Sequence, residues 1–156
     1  MIRLIDRALL DEVSAQASNS PRLRKNRNFH PRDDSPAHRL LNAIEPGSYV
    51  APHRHLDANK DETFVVLRGR FGLVLFDDAG NVTQTQVIEA DGDVVGVDIP
   101  HGTWHSIVSL ARGSVFLEAK AGPYLPFTPE EKASWAPTEN EPDAGDFLAR
   151  MEKLFS

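Results

Sequence analysis

From about residue 21 to residue 120 the chain is a succession of short runs rich in Val, Ile, Phe, Leu and Thr. They are punctuated by Gly, Pro, Asp and Asn at roughly ten-residue intervals, the pattern of an all-β sandwich or barrel. The runs FVVL, FGLVLF, VTQTQVI, VVGVDI, WHSIVSL and SVFLEAK have the β-branched and aromatic content of strands. Turn chemistry separates them at Glu45-Pro46-Gly47, Arg68-Gly69-Arg70, Asp77 to Asn81, Asp91-Gly92-Asp93, Pro100-His101-Gly102 and Ala111-Arg112-Gly113. Together they predict about eight to ten strands in a double-sheet jelly roll. Ahead of them, residues 2–15 are predicted helical, with Asp6 as a cap and Leu9, Leu10 and Val13 on one face. Beyond Tyr124 the strand pattern ends. Thr128-Pro129-Glu130-Glu131 reads as a helix start, and a second start at Asp143 leads into a helix whose apolar face is Phe147, Met151, Leu154 and Phe155. The expected organisation is an N-terminal helical segment (1–20), one barrel (21–126) and a C-terminal helical extension (127–156).

Composition narrows the chemistry. No cysteine is present, which excludes disulfides, thiolate zinc sites, iron–sulfur clusters and cysteine nucleophiles, so any metal must be held by imidazole and oxygen. A net charge of −6 argues against a nucleic-acid role, because phosphate neutralisation needs an excess of Lys and Arg. The positive charge is nonetheless concentrated at Arg22, Arg24, Lys25, Arg27, Arg32 and Arg39, opposite an acidic tail from Glu130 to Asp146. Such a cluster can attract a small anion locally. No run approaches the roughly 18 apolar residues that span a bilayer, and the charged N-terminus does not read as a signal peptide. A cytoplasmic protein is the expectation.

Chemistry concentrates at four residues. His53 and His55 are two apart in the extended stretch YVAPHRH, so both side chains project to one face. Glu62 opens the next strand, sharing a face with Phe64 and Val66; Asp57, in the intervening turn, and Asp61, on the opposite face, are the alternative carboxylates. His105, far along the chain in PHGTWH, shares a face with Ile107. Imidazoles and a carboxylate in such an arrangement suit a divalent metal.

The runs Gly47-x5-His53-x-His55-x6-Glu62-x6-Gly69 and Gly92-x7-Pro100-x-Gly102-x2-His105 resemble the two motifs of the cupin family. The resemblance implies a small β-barrel binding one metal ion through His53, His55, Glu62 and His105, with Gly69 and Gly102 at turns. The chain departs from the pattern in the longer His55–Glu62 gap, a longer Gly92–Pro100 gap, and Ser109 where Asn is often found. More narrowly, RLRKNRNFH, NAIEPGSYVAPHRH, ETFVVLRGR, IPHGTWHS and EAKAGPY, over residues 20–126, resemble the WbuC-type cupin metalloproteins. That family occurs in bacterial surface-polysaccharide gene clusters, which implies a metal site without fixing a reaction.

Around the metal, an extended RLRKNRNFH places Arg24, Asn26, Asn28 and His30 on one face, a polar row suited to a hydroxyl-rich or anionic ligand. Tyr49 shares the His53 face and is expected to project toward the metal. Glu118 and Lys120 alternate on the last strand. With Tyr49 and His30 they are the candidates for proton transfer, and His101 is a candidate rim contact to substrate. Trp104 is expected to pack on the face opposite His105, and nothing marks His38. The ligand set suits iron, manganese, zinc, nickel or cobalt. The leading functional expectation is a metal-dependent enzyme acting on a small polar metabolite such as a sugar or sugar acid, with the metal as Lewis acid. A ferrous dioxygenase and a non-catalytic binding or sensory module are the alternatives. A homodimer is expected, because small cupins commonly pair.

Overall fold

The computed structural model describes residues 1–156. Helix α1 (Arg7–Ser18) leads into β1 (Arg24–Asn28), β2 (Ala37–Ile44), β3 (Glu62–Arg68), β4 (Arg70–Phe76), β5 (Val82–Glu89), β6 (Gly96–Ile99), β7 (Trp104–Ser109) and β8 (Val115–Ala121). A 3-10 turn (Pro129–Glu131) and helix α2 (Ala144–Lys153) follow. The eight strands form a five-stranded sheet, β1-β2-β8-β3-β6, and a three-stranded sheet, β5-β4-β7. Every adjacent pair is antiparallel. The result is a two-sheet, all-β jelly roll with a short helix at each end.

Alternation sorts the side chains into three apolar groups. Ile44, Phe64, Val66, Phe71, Leu73, Ile88, Ile107 and Phe116 come from both sheets and fill the space between them. On the outside of the five-stranded sheet, Leu10, Val13 and Ala17 of α1 cover Leu41, Ala43 and Val115. On the outside of the other sheet, Ala144, Leu148 and Met151 of α2 pack with Tyr49, Val74, Phe76, Trp104 and Val108. Each sheet therefore has a helix behind it, and one end of the barrel interior is left for polar residues.

The helices differ in detail from the sequence expectation. The first starts at Arg7 rather than residue 2, because the Asp6 carboxylate accepts the Leu9 N–H and sets the boundary; Ile2, Leu4 and Ile5 stay exposed. The stretch opening at Thr128 makes one turn and stops, since Lys132 returns to extended backbone and bridges to His53. The buried residues of α2 are Ala144, Leu148 and Met151, with Phe147 and Phe155 packed beside them as expected. Leu154 is exposed, and the Phe155 ring lies over Gly72, where a Cβ would meet it at 2.5 Å.

Candidate metal centre

Three separate segments converge at the polar end of the barrel. β3 turns Glu62, Phe64 and Val66 inward, and Glu62 is only 3% exposed. β7 turns in His105 and Ile107, both buried. The segment carrying His53 is an extended loop rather than a strand, tied to β7 by reciprocal backbone bonds, His53 N–H to His105 O (3.1 Å) and His105 N–H to His53 O (3.0 Å). The 3-10 turn clamps the same loop from outside: Arg54 N–H donates to Glu131 O (3.1 Å), and Leu56 N–H donates to the Glu131 carboxylate (2.9 Å). This bracing compensates for the missing strand and keeps both imidazoles aimed inward.

Donor atoms of His53, His55 and Glu62 all lie within 4.8 Å of one another, so this cluster could hold a metal ion. Glu62 Oε1 is in contact with His55 Nε2, and its Oε2 lies 3.4 Å from His105 Nε2. Two details fit a metal. His53 Nδ1–H donates to Ala51 O (2.9 Å) and His105 Nδ1–H donates to Thr103 O (2.9 Å). A carbonyl at Nδ1 places the proton there and leaves the Nε2 lone pair free, as in metal-bound histidine. The second detail is that His105 Nε2 is buried without a hydrogen-bond partner, a costly arrangement unless an ion or water meets it.

Electrostatics agree. Burial, followed by the neighbouring His105 ring, pushes His53 down to about 3, so it is neutral at ordinary pH. Burial pushes Glu62 up, but the imidazoles of His105 and His55 and the Lys120 ammonium outweigh it and hold the carboxyl well below its usual range. Lys120 Nζ lies 3.7 Å from Glu62 Oε1 and 3.2 Å from Glu118 Oε2. Asn42 donates to the other Glu118 oxygen at 3.1 Å. Burial opposes the charge on Lys120, yet Glu118 and Glu62 raise it above its ordinary value. Burial raises Glu118, with Lys120 opposing. One ammonium thus bridges two buried carboxylates beside the cluster.

The cavity over these groups has a volume of about 540 Å³, within the range of ligand pockets. Its apolar wall is Ile44, Val50, Phe64, Ile107 and Phe116, and its polar wall includes Arg24, Asn26, Asn42, Glu118 and Lys120. Phe127 stands at the metal end, its ring centroid 4.8 Å from that of His53 and 5.5 Å from that of His55.

Of the residues expected around the metal, Arg24, Asn26, Glu118 and Lys120 line this cavity, while Asn28 and His30 line an adjoining cleft. Tyr49 does not project toward the metal. It packs outside the barrel against Phe147 and donates its hydroxyl to Pro137 O (2.8 Å); residues 48–52 are not in a strand, so the assumed alternation does not hold there. His101 lies outside the cavity, and Asp61 accepts both its backbone N–H and its ring Nδ1 at 2.8 Å. That engages Asp61, and Asp57 accepts the Asn59 N–H within its turn, leaving Glu62 as the inward carboxylate. Trp104 packs on the outer face, as its register predicts. Asn42, His38, Tyr124 and Phe127 escaped the sequence reading. Asn42 and His38 share a face with Leu40 on β2 and were legible in principle; Tyr124 and Phe127 lie beyond the last strand, where no periodicity places them.

Several solved structures share the fold. KdgF from a Halomonas species superposes with a TM-score of 0.50 at 19% identity, over 66% of this chain and 82% of that one. A conserved protein of unknown function from Streptococcus pyogenes gives 0.53 at 11% identity, over 80% and 91% of the two chains. The capsular polysaccharide assembling protein CapF from Staphylococcus aureus gives 0.51 at 21% identity; the match covers 69% of this chain and 28% of that one. No curated protein matches in sequence. The family described as "Domain of unknown function (DUF6016)" matches residues 5–88, more than half of the chain. This cupin-fold protein, with a His53–His55–Glu62 cluster that could hold a metal ion, therefore belongs to that family.

Proposed function

We propose that His53, His55, Glu62 and His105 bind one divalent metal ion, and that the protein is a metal-dependent enzyme acting on a small polar metabolite, a sugar or sugar acid. The observation that carries this reading is the buried, partnerless Nε2 of His105 beside three clustered donors. Three imidazoles and one carboxylate suit iron, manganese, zinc, nickel or cobalt. When bound, the ion supplies Lewis acidity toward a substrate oxygen. The protein's own groups do the rest. Lys120, held by Glu118 at 3.2 Å, offers its N–H groups to an anionic substrate oxygen. Asn42 fixes Glu118 in turn, and Phe127 with the apolar wall shields the metal end from water. Lys120 and Glu118 are the proton-transfer candidates in the cavity itself. The WbuC-type motif resemblance supports a place in surface-polysaccharide metabolism.

The test is cobalt-loaded protein titrated with gluconate, its visible absorption bands reporting direct ligand contact, followed by NMR of a sugar-acid panel incubated with the metal-loaded protein. Saturable band changes and turnover of at least one sugar acid are expected. Bands that no hydroxy acid perturbs would refute the reading in favour of a purely structural ion. Perturbed bands without turnover would leave a binding module.

A further inference from the structure

The cavity over the metal ligands does not end at Lys120. A second cleft of about 320 Å³ shares Asn26, Asn42, Glu118, Lys120 and Tyr124 with it. Its far wall is Asn28, His30, Asp33, His38 and Leu40.

Strand register gives the direction and reach of this extension. Lys120 faces His38 across the β2–β8 ladder, and Glu62 lies one step beyond the Thr63–Ala119 pair of β3 and β8. Glu62, Lys120 and His38 therefore form one row over three strands, about 10 Å at the usual strand spacing. The neighbouring row runs Phe64, Glu118, Leu40, Asn28 over four strands, about 14 Å. Along these rows the lining runs from Glu62 and Phe64 at β3, through Lys120 and Glu118 at β8, to His38 and Leu40 at β2 and Asn28 at β1.

The groups at the far end keep free hydrogen-bonding capacity. The Asn26 and Asn28 amides make no hydrogen bond within the chain, whereas Asn42 is committed to Glu118. His30 and His38 are buried and stack with centroids 3.9 Å apart and planes 9° apart. Each commits one ring nitrogen to backbone, His30 Nδ1 at Arg39 and His38 Nε2 to Asp33 O, leaving the other uncommitted. A rigid imidazole wall beside two free amides on an edge strand is suited to hydroxyl groups, which donate and accept together.

We propose that β1 and β2 form a distal subsite for a hydroxyl-rich unit, so that the ligand is a two-unit molecule: an acidic, metal-chelating head and a glycosyl unit about 10 Å away. This rests on the metal-site reading above and deepens it.

The test is calorimetric titration of full-length, manganese-loaded protein with gluconate and with three glycosyl-gluconates, lactobionate, maltobionate and cellobionate. At least one glycosyl-gluconate is expected to bind tenfold or more tighter than gluconate. In Asn28→Ala and Asn26→Ala, both on an exposed edge strand, the ratio should fall toward one. Gluconate binding with no advantage for any glycosyl-gluconate overturns the distal subsite alone, as does an advantage that survives both substitutions. Failure of all four to bind overturns the sugar-acid reading of the metal site with it.

Discussion

Removing the Lys120 ammonium tests the electrostatics of the site without substituting a proposed metal ligand. At an effective dielectric of about 20, unit charges at the observed separations of 3.2 Å and 3.7 Å attract by roughly 5 and 4.5 kcal/mol before desolvation. Much of that is offset by the cost of burying the ions, but removing one partner leaves the other charges uncompensated, typically costing 3–5 kcal/mol. Lys120 has a side-chain exposure of 19%, so Lys120→Met should sit near the lower end, about 3 kcal/mol, or about 6–12 °C in melting temperature. The assay is urea unfolding of chelated protein at pH 7. If the loss comes from the stranded Glu118, the double variant Lys120→Met/Glu118→Gln should recover more than about half of it. Acidification should also rescue the single variant. With Lys120 gone, burial keeps the folded Glu118 pKa above its unfolded value; the folded state then binds more protons than the unfolded state, and stability rises as pH falls. A single variant within about 1 kcal/mol of the parent, or a double variant as unstable as the single, would refute this account of the triad.

Three further outcomes follow from particular contacts. Glu139 is held down to about 2 by its hydrogen bond with Arg22, with Arg24 adding to it. Because its folded pKa is depressed, its contribution is present above the ordinary carboxylate range and lost as pH falls toward 2; Glu139→Gln should cost up to about 1 kcal/mol near neutrality, discounted for solvent screening. Urea midpoints should converge with those of the parent near pH 2, and a difference independent of pH would contradict this. Gly72→Ala places a Cβ 2.5–2.7 Å from Phe155 ring atoms and should destabilise by about 1–3 kcal/mol, with Phe155→Ala in the same chain reducing the effect; additive losses would rule out the clash. Asp6→Ala removes the bond to Leu9 N–H and should cost about 1 kcal/mol, with faster amide exchange in the first turn of α1 and no change in the barrel.

The strand pattern was legible because period-two alternation and turn chemistry are local: the Gly69 and Gly102 turns take positive φ, and Glu62, Phe64 and Val66 point inward as their spacing predicts. The juxtaposition of His53 with His105 depends on backbone pairing across 52 positions of sequence, and only the motif resemblance pointed to it. What failed did so for identifiable reasons. Tyr49 follows a strand's alternation only if residues 48–52 are a strand, and they are not. The Thr128 start carries the signals of a helix, yet tertiary pairing of Lys132 with His53 stops it after one turn. His101, a candidate rim contact, is held by Asp61 and lines neither the metal cavity nor the adjoining cleft. The Phe127 ring beside the histidines belongs to a segment without periodicity, so only the folded chain reveals it.

Metal content measures the central claim most directly. Untagged protein, His53→Ala and His105→Ala are each loaded with manganese, desalted and analysed for bound metal, with melts before and after chelation. The account predicts one ion per chain in the parent and loss of it in both variants. Metal at a hundredfold its Kd should stabilise the parent by about 2.7 kcal/mol, or about 5–10 °C. No bound metal across manganese, iron, zinc, nickel and cobalt, with melts that none of them shifts, would contradict it.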